Sequence, residues 1–68
     1  MKQVSGKELC SIVMRFEWQL ARINGSHHIF IKEGRIERLS IPVHGNKPIK
    51  IGLLKALLKT AGIDEQSI

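Results

Sequence analysis

The sequence is poor in cysteine, aromatic residues and proline. Cys10 is the only thiol in 68 residues, so no internal disulfide can form, and neither a Cys-x-x-Cys pair nor a His-rich ligand spacing is there to build a structural zinc site. Tyr is absent, and Phe and Trp make up 4% of the chain, which argues against a module that reads a sequence by stacking bases. No apolar run approaches the roughly 20 residues of a membrane span, and the mixed polar start Met1-Lys2-Gln3-Val4-Ser5 does not read as a secretory signal. A cytoplasmic protein without membrane association is therefore the expectation. The length leaves no room for a second core or a large substrate pocket, so a single domain over 1–68 must fold on packing alone.

What the chain does have is positive charge. Eleven Lys and Arg stand against six Asp and Glu, a net charge of +5. The excess lies between residues 22 and 59, where Arg22, Lys32, Arg35, Arg38, Lys47, Lys50, Lys55 and Lys59 face only Glu33 and Glu37. Such a segment on so small a domain points to a polyanion partner, nucleic acid first and acidic protein second, beside the plainer reading of a solvated surface.

The pattern of apolar residues orders the chain. Ser5-Gly6-Lys7-Glu8 has the S-x-x-E form of a capping box, and Leu9, Ile12, Val13 and Phe16 follow at helical spacing. From Trp18 the chain alternates, with Trp18, Leu20 and Arg22 on one side and Gln19 and Ala21 on the other, which predicts a short strand. Asn24-Gly25-Ser26 is a turn into a second strand over 27–32, and Glu33-Gly34-Arg35 a turn into a third over 36–43, ending near Pro42. A three-residue second turn places Ile29 opposite Leu39 and His27 opposite Ile41, gathering Ile29, Ile31, Leu39 and Ile41 on one face. A second helix is predicted over 50–61, burying Ile51, Leu54, Leu57, Leu58 and Ala61, exposing Lys55 and Lys59, and stopping at Gly62. Gly52 reads as a site of close packing on the sheet, and residues 64–68 as a short frayed polar end. The prediction is an α+β domain of order αβββα, its three-stranded antiparallel sheet covered on one face by both helices.

That topology with a basic surface resembles a double-stranded-RNA-binding domain. Gly25-Ser26-His27-His28-Ile29-Phe30, then Ile41-Pro42-Val43-His44-Gly45-Asn46, then Lys50-Ile51-Gly52-Leu53-Leu54 narrow it further. Together they are similar to the HicA (YcfA-like) family, small toxins of bacterial toxin–antitoxin systems, from the first helix through Gly62. The resemblance implies cleavage of messenger RNA through a histidine of the Gly-Ser-His motif, where His27 directly follows Gly-Ser. It also implies inhibition by a HicB-type antitoxin, the toxin being a monomer or part of a small hetero-oligomer with it. Two positions depart from the family pattern. A glycine commonly precedes the aromatic that is Trp18 here, where this chain has Glu17, and Glu33 and Glu37 dilute the basic hairpin. Both bear on substrate affinity more than on the Gly-Ser-His chemistry.

The chemistry also follows from the residue types. RNA carries its own nucleophile, the 2′-hydroxyl, so cleavage needs a base, an acid for the leaving 5′-oxygen, and cations for the phosphorane charge. Imidazole performs either proton transfer near neutral pH. No metal or cofactor is required, and the lack of a carboxylate cluster argues against a metal-dependent nuclease. The candidate catalytic residues are His27 and His28. The family motif favours His27, yet the expected alternation aligns His27 with core-facing Ile29 and sends His28 to the open face beside Ser40 and Arg38.

Gly25, Ser26, Arg38, His44, Lys47 and Lys50 are the candidate RNA-binding residues, the lysines flanking the start of the second helix. His44 reads either as an acid–base partner or as a loop residue whose imidazole caps a carbonyl. Cys10 and Trp18 read as core, Trp18 alternatively as an interface anchor. Beside the ribonuclease toxin stand two further readings: a non-catalytic RNA-binding domain, and a protein-interaction module using the open sheet face.

Overall fold

A computed structural model describes residues 3–68; the expectations for Met1 and Lys2 lie outside the described residues. The chain runs through α1 (Gly6–Arg15), β1 (Gln19–Asn24), β2 (His27–Ile31), β3 (Leu39–Pro42) and α2 (Ile51–Ala61). A 3-10 turn over Glu65–Ser67 follows, started by Asp64, whose Oδ1 accepts the Gln66 N–H at 2.9 Å. Ile68 packs partly on the core. The strands form one antiparallel sheet in the order β1-β2-β3. Both helices contribute to one hydrophobic cluster with a single face of that sheet, which gives the expected α+β fold like that of a double-stranded-RNA-binding domain.

Local chemistry starts and stops the helices. The Ser5 hydroxyl accepts the Glu8 N–H at 3.1 Å while the Ser5 N–H donates to Glu8 Oε1 at 3.0 Å, completing the capping box. Each helix ends in a Schellman motif. In α1 the Trp18 N–H reaches the Val13 carbonyl and the Glu17 N–H that of Met14, both at 3.1 Å. In α2 Ile63 pairs with Leu58 at 2.9 Å and Gly62 with Lys59 at 3.2 Å. The residue that must turn left-handed is Gly62 in one (φ 74°) and Glu17 in the other (φ 71°). The turn drives Trp18 into the core, 1% exposed, with its indole N–H donating to the Ala61 carbonyl at 3.3 Å. Trp18 thus closes the helix cap, and the strand begins one residue later.

Three apolar assignments are corrected. Phe16, the C-cap residue of α1, is 37% exposed and leaves the stripe of Leu9, Ile12 and Val13. Ile51, in the first turn of α2, is exposed, so that helix buries Leu54, Leu57, Leu58 and Ala61. A Cβ on Gly52 would meet nothing within 4 Å, so its lack of a side chain serves no packing on the sheet. Gly6 is the tightly packed glycine: a Cβ there would collide with the Pro42 carbonyl.

The largest correction concerns register. His27 pairs with Pro42, His28 with Ile41, Ile29 with Ser40 and Phe30 with Leu39, one residue from the expected pairing. A slip of one exchanges the two faces of a strand. The buried face therefore carries Phe30, Leu39 and Ile41, each at most 1% exposed, while Ile31 stays 41% exposed on the other. The cause lies in the connection, which is a loop over 32–38 and not a tight turn. The Arg35 side chain leaves the hairpin to bond the Thr60 carbonyl at 2.6 Å and lies 5.7 Å from the Trp18 ring centre. A loop of that length does not dictate register, and burial of the large Phe30 ring decides it.

A candidate active site on the open sheet face

The site begins at the turn between β1 and β2. Asn24 pairs with His27, leaving Gly25-Ser26 as a two-residue loop with Gly25 at φ 62° in its first central position, where a tight hairpin turn calls for glycine. The Ser26 carbonyl accepts the Val43 N–H at 2.7 Å, which ties the turn to the end of β3. His27 is thereby set at the start of β2 on the open face, exposed, with Nδ1 3.0 Å from Ser40 Oγ on the neighbouring strand. No second hydrogen bond holds its ring among the described residues.

His28 points the other way. It is half-buried on the helix side, with Nδ1 3.8 Å from the Cys10 sulfur. The expected faces of the two histidines are thus exchanged along with the register. Cys10, far from every histidine in sequence, meets one in space, although burial pushes its thiol pKa up and keeps it in the neutral form.

The other candidates divide by position. Val43 packs against the core, so His44, the next residue, turns outward beside the Gly25-Ser26 turn. Its imidazole has no hydrogen-bond partner among the described residues, so the expected carbonyl cap is not formed there. Lys47 and Lys50 line a cleft with His44 and Pro42, the strand partner of His27. Arg38 stands at the opposite end of β3, in a groove with Glu33 and Glu37. Glu37 accepts from Arg35 Nε at 3.0 Å, a bond that holds its carboxyl below the ordinary range. The acids of the basic segment therefore sit away from His27, and Arg35 is engaged in the fold.

Arg22 was missing from the expected site. Plain alternation puts it on the side of Trp18 and Leu20, but a bulge between Leu20 and Arg22 pairs it with Ile29 and turns it to the open face, diagonal to His27. Nothing local in the residues 20–22 announces a bulge. Ser40 lies on the open face as expected, but beside His27 and not His28.

Among the described residues no three His, Cys, Asp or Glu side chains converge as a metal-binding group, and no helix is long and apolar enough to cross a membrane. What the open face offers is an exposed imidazole held on one nitrogen, with Arg22 diagonal to it and the Lys47 and Lys50 cleft beyond its strand partner Pro42. Comparison with curated proteins finds no match. The family model described as "HicA toxin of bacterial toxin-antitoxin" matches residues 6–63, a span that takes in both helices, the whole sheet and the Gly25-Ser26-His27 turn. By that match the chain belongs to the HicA toxin family of bacterial toxin–antitoxin systems.

Proposed function

We propose that this toxin is an endoribonuclease that cleaves messenger RNA by general acid–base catalysis at His27, needs no metal, and is held inactive by a HicB-type antitoxin covering the open sheet face. The observation that carries this reading is the contact between His27 Nδ1 and Ser40 Oγ at 3.0 Å. Ser40 Oγ accepts from Nδ1–H in the neutral base and again in the imidazolium that follows, which favours the tautomer whose Nε2 is free to address the substrate.

In the reaction His27 takes the proton of the 2′-hydroxyl, and O2′ attacks phosphorus. The O2′–P bond forms, the P–O5′ bond breaks, and the product is a 2′,3′-cyclic phosphate. The 5′-oxygen leaves with a proton from a second donor, for which His44 is the candidate. Arg22 carries charge complementary to the phosphorane, and Lys47 and Lys50 hold the neighbouring part of the RNA backbone. His28, turned toward the helices, supports the strand that presents His27.

The test is RNA cleavage in EDTA by wild-type protein, His27→Ala and His28→Ala, each shown to be folded by circular dichroism. Cleavage by wild type that is lost in His27→Ala supports the reading. Folded wild-type protein that retains RNA in a salt-sensitive way without cutting it would instead be an RNA-binding domain. Protein that ignores RNA and binds only a protein partner would be an interaction module.

A further inference from the structure

Pro42 stands opposite His27 in the sheet, and beyond it the chain folds into a cleft of about 280 Å3. Its charged lining has one sign: Lys47 and Lys50, with the His44 imidazole beside them and no Asp or Glu. The rest of the lining is apolar and includes Pro48 and Leu53. Leu53 is 43% exposed on the same helix that buries Leu54 completely.

The walls are preformed. Gly45, at φ 58°, allows a turn in which the His44 carbonyl accepts the Lys47 N–H at 3.1 Å, setting these two residues at its two ends. Pro48 bridges to Ser5, and the Ile49 N–H donates to the Val4 carbonyl at 2.8 Å, so the far wall is anchored to the segment ahead of α1. Two prolines add stiffness, and a cleft already in its bound shape has little ordering to lose on binding.

We infer that this cleft is a subsite for one nucleotide of a single-stranded RNA, next along the strand from the phosphate at His27. The inference rests on the reading of His27 as the cleavage centre. A free anion would meet the lysines but has no use for the apolar lining. An apolar peptide would fill that lining but gains nothing from the two lysines. A nucleotide has both parts, a base whose face packs on Pro48 and Leu53 and a phosphate that reaches Lys47 and Lys50. The base must be unstacked to enter, which a duplex does not offer, so the cleft selects single strands.

The test is a 1H–15N NMR titration of the full chain with a 2′-O-methyl trinucleotide, which lacks the nucleophilic hydroxyl and stays intact. The amides of Lys47, Ile49, Lys50 and Leu53 are expected to shift. Leu53→Asn, which leaves the charge unchanged, should weaken binding by about fivefold through the lost apolar contact. Ile36→Asn, at a residue 96% exposed in the 32–38 loop, should bind as wild type does. In cleavage of single-stranded RNA, Leu53→Asn should raise KM with kcat held within about twofold.

Inorganic phosphate is the control. If it reproduces the same shifts and Leu53→Asn binds the trinucleotide as wild type does, the cleft is a charge patch and the inference is overturned. Since the titration reads binding without chemistry, the two ideas fail separately. Binding in the cleft by a protein that does not cut RNA removes the ribonuclease reading alone. Cleavage lost in His27→Ala, with no shifts in the cleft, removes the subsite alone.

Discussion

His27 and His28 are neighbours in the chain and face opposite sides of the sheet, His27 Nδ1 lying 3.0 Å from Ser40 Oγ in the open and His28 Nδ1 3.8 Å from Cys10 Sγ among the helices. Substitution should therefore separate chemistry from stability. His27→Ala is expected to slow cleavage by about 10²–10⁴-fold, the usual worth of a general acid–base group, with an unchanged melting temperature. His28→Ala leaves a gap beside Cys10 and Ile41 and should cost about 1–2 kcal/mol of stability. Cleavage rates and thermal melts of both variants check this. Loss of activity at full stability in His28→Ala alone would reverse the assignment.

Glu17 and Gly62 hold the same place in two helix caps, at φ 71° and 74°. A side chain in the left-handed region costs about 1 kcal/mol, a cost that Gly62 avoids and Glu17 bears. Glu17→Gly should accordingly stabilise the protein by about 1 kcal/mol, and Gly62→Ala should destabilise it by a similar amount, further crowded by the Arg35 guanidinium 3.3 Å from the new Cβ. Urea midpoints at constant m-value would show both effects.

Two other glycines predict opposite outcomes for the same change. Gly6→Ala drives a methyl into the Pro42 carbonyl, backbone that cannot move without shifting β3, and is expected to cost about 1–3 kcal/mol. Gly52→Ala enters open space in the first turn of α2 and should gain about 0.5–1 kcal/mol from helix propensity. Equal melting temperatures for the two variants would contradict this.

Burial raises the Cys10 thiol pKa, so the folded state holds that proton more tightly than the unfolded chain does. The sign of the linkage follows: stability is unaffected below the ordinary thiol pKa, about 8.5, and falls as pH rises from there toward the raised value. Chemical denaturation between pH 7 and 10 should show a steeper alkaline loss for wild type than for Cys10→Ala. Identical slopes would mean that the thiol is not desolvated as its position implies.

Features resting on near neighbours in the chain were readable in advance. The Ser5/Glu8 capping box, the stop at Gly62 and the Gly25-Ser26 turn each depend on groups within a few residues of one another, and all three form. Element order and the helix-covered face followed from periodicity, because an apolar stripe has to be buried somewhere. Family membership was legible too, since the Gly-Ser-His turn and the Pro42 and Gly52 segments are strings of residues that need no geometry to be seen.

Tertiary structure decided what those elements touch. Residues 27–31 alternate so that either face reads as apolar, His27 with Ile29 and Ile31 or His28 with Phe30, and no local term separates the two. The choice was made by the space between helices and sheet, which takes the Phe30 ring with Leu39 and Ile41 and leaves Ile31 at the surface. That one choice set His27 on the open face against Ser40 and His28 against Cys10. The bulge that brings Arg22 round, and the pull of Arg35 toward Thr60, likewise depend on partners distant in sequence. Local hydrogen bonding and periodicity act over a turn or a strand and can be read from the residues themselves, whereas register and juxtaposition are settled by which of two similar sets of side chains buries the larger volume.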